Sequence, residues 1–150
     1  MIGESPVERR VWLYRELYGL PCRISGIRII LSTNDVWAIT APRDMAARID
    51  DALFQRKQVA PILDTGTPYP LILLAAPSPL DPSRFTTDLR LRSHCEFLSE
   101  GTQITLPSAL PTPQPAPHWF RYPHTEKLPP ITAVLRAIHI ALRNLPTPPR

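Results

Sequence analysis

Glycine is scarce in this 150-residue chain: there are five, at positions 3, 19, 26, 66 and 101. Glycines so far apart cannot build the phosphate-cradling turns of a P-loop or a dinucleotide fingerprint, which excludes nucleotide binding by those routes. Cysteine is scarcer still. Cys22 and Cys95 are too few for a disulfide scaffold and lack the paired spacing of a structural zinc site, so both are expected as reduced, buried thiols. No stretch of about eighteen apolar residues occurs, and the longest candidate, residues 70–76, is sized for a buried strand; no membrane contact is expected. Residues 1–10 carry Glu4, Pro6 and Glu8 in place of a basic start and an apolar core, so no secretory signal is expected and a cytoplasmic address follows.

Paired carboxylates are missing too. Two-metal nucleotidyl transfer commonly sets two acids at i and i+2 on a strand, where the period of two aims both at the same cations. None of the thirteen acids has such a partner, and the nearest pair, Asp50 and Asp51, falls on a predicted helix where neighbours diverge. The histidines, His94, His118, His124 and His139, match no zinc spacing, even with Cys95 beside His94. No metal, cofactor or catalytic residue is expected.

What the chain does have is proline, 20 residues of it, together with 43% apolar residues and a net charge of +4. The apolar content suffices for one core, so residues 1–145 are expected as a single domain and 146–150 as a disordered tail. Ser5-Pro6-Val7-Glu8 has the form of a capping box with proline at the first helical position. Val7, Val11, Tyr14 and Tyr18 continue it at helical spacing up to Gly19. Strands are predicted at 22–24, 27–31 and 36–40 as an antiparallel meander, then a helix over 43–55, then strands at 59–63 and 71–75. The last of these is apolar on both faces and is expected to be central. Residues 76–84 should be loop, and 85–94 is open between a short helix, the preferred reading, and an extended segment; strands follow at 96–99, 103–106 and 118–122. Prolines make 107–117 a stiff loop. Ile131, Val134, Leu135, Ile138 and Leu142 mark a last helix reaching Leu145. The sum is an α+β fold, a mostly antiparallel sheet with three helices packed on one face.

One candidate site stands out. Arg90, Arg92, Arg121 and Lys127 flank Trp119, Phe120 and Tyr122, and strand alternation would set Trp119 and Arg121 on one face. Aromatic rings that stack bases, beside arginines that follow phosphate, suit single-stranded nucleic acid; the alternative is a core Trp119 beside a solvated Arg121. Arg90, Arg92, Trp119, Arg121 and Lys127 are the binding residues expected.

The run Gly101-x-x-Ile104-x-x-Pro107-Ser108, followed after a loop by the aromatic strand, resembles the late motif of the bifunctional DNA primase/polymerase N-terminal domain, in the archaeo-eukaryotic primase superfamily. The order of elements is similar to that of short actinobacterial stand-alone members: Val36-Trp37, a helix, Pro61-Ile62-Leu63-Asp64, the apolar run from Leu71 to Pro77, then His118-Trp119 before a C-terminal helix. The resemblance implies a degenerate primase-like fold. Primer-synthesising members carry an Asp-x-Asp strand where this chain reads Ala38-Ile39-Thr40. They also carry a glycine-rich segment ending in histidine where this chain has Thr67-Pro68-Tyr69-Pro70. The implied function is that of a non-catalytic accessory or regulatory protein, with single-stranded DNA or a replication-type protein as partner. The alternative is a protein-interaction module using the proline-rich loop 107–117 or an exposed helix face.

Overall fold

A computed structural model of the chain describes residues 5–66, 68–77, 86–108, 117–124 and 127–143. Ser5 caps helix α1 (Pro6–Trp12) by accepting a hydrogen bond from the Glu8 backbone N–H at 3.1 Å. The capping-box start is therefore as read, but the helix does not run on unchanged. It loosens into a π-helical turn over Leu13–Leu17, which carries Tyr14 into full burial.

Eight strands and three more helices follow among the described residues: β1 (Arg23–Ser25), β2 (Arg28–Ser32), β3 (Trp37–Ala41), α2 (Arg43–Gln55), β4 (Ile62–Asp64), β5 (Leu71–Ala75), α3 (Thr87–Ser93), β6 (Glu96–Phe97), β7 (Gln103–Leu106), β8 (His118–Arg121) and α4 (Ile131–Arg143). Of the two readings left open for 85–94, the helix is the one present, as α3. Thr86 caps it and a left-handed His94 at φ 57° closes it. Most predicted strands start one to three residues late or are shorter, notably β4 and β6. The 146–150 tail and most of the 76–84 and 107–117 loops lie outside the described residues.

The class is α+β, with the β structure divided between two antiparallel sheets instead of one. The larger has the order β6-β3-β5-β4-β8, with β5 at its centre as its two apolar faces required. The smaller has the order β1-β2-β7. The predicted meander is corrected here: β2 pairs with β1 and β7, whereas β3 leaves for the larger sheet and pairs with β5 and β6. Gly26 turns the β1-β2 hairpin at φ 64°, a conformation that any side chain would strain.

Burial explains the split. The pleat of the larger sheet sends Ile39, Ala41, Ile62, Leu71 and Leu73 to one face, against α2, α3 and α4. It sends Ala38, Leu63 and Leu74 to the other face, where they meet Ile29, Leu31, Ile104 and Leu106 of the smaller sheet and Val7, Val11 and Tyr14 of the N-terminal helix. A sheet apolar on both faces must be covered twice, each fully buried Leu or Ile contributing about 1.5–3 kcal/mol. The expectation that all helices share one face is therefore corrected: α1 lies on the opposite side from α2, α3 and α4. No helix among the described residues is long and apolar enough to cross a membrane.

Candidate nucleic-acid interface

Among the described residues, strand β8 forms one edge of the larger sheet and pairs only with β4. Its register runs Asp64 opposite His118, Leu63 opposite Trp119 and Ile62 opposite Arg121, which leaves Phe120 as the extra residue of a β-bulge. The bulge decides where every side chain of this strand points. Without it, Trp119 and Arg121 would share a face; with it, they lie on opposite faces, a correction to the alternation expected above.

Arg121 turns toward the helical layer. Its Nε donates to Asp50 Oδ1 of α2 at 3.0 Å and its Nη2 to Oδ2, a two-point clasp on a buried carboxylate that holds the guanidinium in its charged form. Next to it, Arg43 at the start of α2 makes two 2.7 Å bonds to Asp64. Asp64 also accepts from the Gly66 backbone N–H at 2.8 Å and lies 3.2 Å from His118 Nε2. The Arg43 bonds, with help from Gly66 and the nearby His118, hold the Asp64 carboxyl down at about 2 against the desolvation that burial imposes.

Trp119 turns the other way, into the second core. Its ring meets Tyr14 edge-on at 5.9 Å, and its Nε1 donates to the Tyr14 hydroxyl at 3.2 Å. That hydroxyl donates to the Pro107 carbonyl at 2.6 Å, giving the Pro107-Ser108 step of the sequence motif a definite role as the acceptor that ties the N-terminal helix to the end of β7. Burial pushes the Tyr14 hydroxyl above its ordinary pKa, so it stays a donor. Tyr122, just past β8, rests against Trp119 at 6.0 Å and Tyr18 at 6.3 Å and accepts from Arg10 at 3.3 Å.

The result is an aromatic corner. Tyr14 and Trp119 form its floor and Tyr18 and Tyr122 its wall, with Tyr122 46% exposed; Phe120, the bulge residue of β8, is 44% exposed. Arg10 stands beside it, with Arg9 and Arg15 exposed on the same helical segment. The sequence did carry a signal for this: Arg10, Tyr14 and Tyr18 recur every four residues, but nothing local said which strand they would meet.

The five residues expected to bind are not brought to one place. Arg90 and Arg92 sit on α3 near the opposite edge of the sheet, Arg90 paired with Glu96 of β6 at 3.2 Å and Arg92 with Asp88 at 3.8 Å. Four strand spacings separate β6 from β8, about 19 Å. Lys127 is exposed beyond β8. Trp119 belongs to the aromatic corner, while Arg121 belongs to the clasp on the other face.

Among the described residues no group of three or more His, Cys, Asp or Glu is placed to hold a metal ion. Cys22 and Cys95 are free and buried, and desolvation raises the pKa of both, that of Cys22 to about 11. Comparison of the chain with protein-family models, with curated proteins and with solved structures returns no match.

Proposed function

We propose that the chain is a non-catalytic primase/polymerase-like accessory or regulatory protein whose aromatic corner contacts single-stranded nucleic acid in the cytoplasm. The observation that carries this reading is the exposed ring of Tyr122, just past the edge strand β8, with Arg10 bonded to its hydroxyl and the exposed Phe120 ring on that strand. Exposed rings offer faces on which bases of any sequence stack, and arginines beside them follow the phosphates. Asp50 and Asp64 support the non-catalytic half: each buried carboxylate is clasped by an arginine, so neither is open to a cation until that clasp breaks. Free, buried thiols suit a reducing compartment.

Titration of a fluorescein-labelled single-stranded thymidine oligonucleotide tests the reading. With Arg9, Arg10 and Arg15 meeting about three phosphates, affinity should fall about 10- to 20-fold between 50 and 200 mM salt. No binding at the lower salt would remove the nucleic-acid contact.

A second reading, a protein-interaction module, is favoured by Trp12 and Leu17, which are 53% and 47% exposed on the N-terminal helical segment. A partner retained by the wild-type chain and lost with Trp12→Ser would support it.

A further inference from the structure

We infer that a cleft at the seam between the two sheets, remote from the aromatic corner, binds a small organic cation. The chain passes between the layers twice at this seam, from β2 into β3 through residues 33–36 and from β6 into β7 through residues 98–102. Thr33 fastens the two passages together. Its Oγ1 donates to the Ser99 carbonyl at 2.8 Å and accepts from the Thr102 N–H at 2.8 Å, and its own N–H donates to the Thr102 carbonyl at 2.9 Å. Gly101 completes the turn at φ 84°, which a side chain would strain. The walls of the cleft are therefore preformed.

The cleft encloses about 380 Å³, within the range of small-molecule sites. Val36 and Leu98 line it, together with Trp37 and Phe97, whose rings meet edge-on at 5.3 Å and 87°. Among its described lining residues Glu100 is the only charged one. Glu100 is exposed, and no ion pair among the described residues engages it. Ring faces and a carboxylate share one electrostatic preference: both attract an ammonium group and repel an anion. An ammonium, primary or quaternary, on an apolar body satisfies both the rim and the walls of the cleft.

The test is a titration of the full chain with benzyltrimethylammonium, read by the NMR signals of the three indole N–H groups, with benzyl alcohol as the uncharged comparison. The expected result is a saturable shift of the Trp37 signal, assigned by its loss in Trp37→Phe, with Trp12 and Trp119 unmoved. The alcohol should bind about tenfold more weakly or worse. Glu100→Gln, at an exposed position, should keep the Trp12 and Trp119 signals of the wild type and lower the affinity for the cation severalfold toward that for the alcohol. Equal binding of cation and alcohol, unchanged affinity in Glu100→Gln, or no saturable shift of Trp37 would each overturn the inference.

Discussion

The indole of Trp119 and the phenol of Tyr14 are joined twice, by an edge-on ring contact at 5.9 Å and by a hydrogen bond from Nε1 to the hydroxyl at 3.2 Å. Because that hydroxyl also reaches Pro107, it couples the N-terminal helix, the edge strand β8 and the end of β7. Tyr14→Phe removes one oxygen and strands a donor and an acceptor together, which should cost about 1–3 kcal/mol in urea unfolding. A double-mutant cycle with Trp119→Phe should return a coupling of about 0.5–1.5 kcal/mol; strict additivity would show the two rings to be independent.

The Asp50–Arg121 clasp leads to a second expectation. Arg121→Met leaves the buried Asp50 carboxylate without its partner, and with the arginine side chain 43% exposed the loss should be about 1–3 kcal/mol. Adding Asp50→Asn should restore part of that stability. Thermal melts of the single and double variants decide it, and a double variant less stable than Arg121→Met would count against the clasp.

Acid should weaken the fold through Asp64. Its folded carboxyl lies at about 2, below the ordinary 3.8, chiefly because Arg43 bonds it. A depressed carboxyl pKa contributes stability that is present above the unfolded value and is lost as pH falls through the folded one. Arg43→Gln should therefore melt at a lower temperature than wild type at pH 6, by a modest margin because Arg43 is 38% exposed, and the gap should close as pH falls from about 4 to 2. Melts across that window check it; a gap independent of pH would mean that Arg43 acts through packing alone.

Local chemistry made some of this fold legible in the sequence and left the rest to long-range contacts. Ser5 and Pro6 set the start of α1 through capping and a fixed φ, both properties of neighbours in sequence. The two apolar faces of Leu71–Ala75 marked the central strand, and the stripe from Ile131 to Leu142 marked α4. The division into two sheets depends instead on β2 finding β7, more than seventy residues away, and no local pattern records that pairing. The bulge at Phe120 lies in the match between β8 and β4, not in either strand alone, yet it turns Trp119 and Arg121 to opposite faces. The candidate site shows the same division: Trp119 and its aromatic neighbours were visible in sequence, whereas Arg10, Tyr14 and Tyr18 join them only through the tertiary fold.

The central claim, that nucleic acid meets the chain at the aromatic corner, is tested most directly by one comparison of affinities. A labelled single-stranded thymidine oligonucleotide is titrated at about 50 mM salt into wild type, Phe120→Ala/Tyr122→Ala and Arg90→Gln/Arg92→Gln. Loss of the two exposed rings should weaken binding about tenfold or more, while the α3 pair should stay within about twofold of wild type. A Phe120→Ala/Tyr122→Ala chain that is folded and binds as tightly as wild type would contradict it.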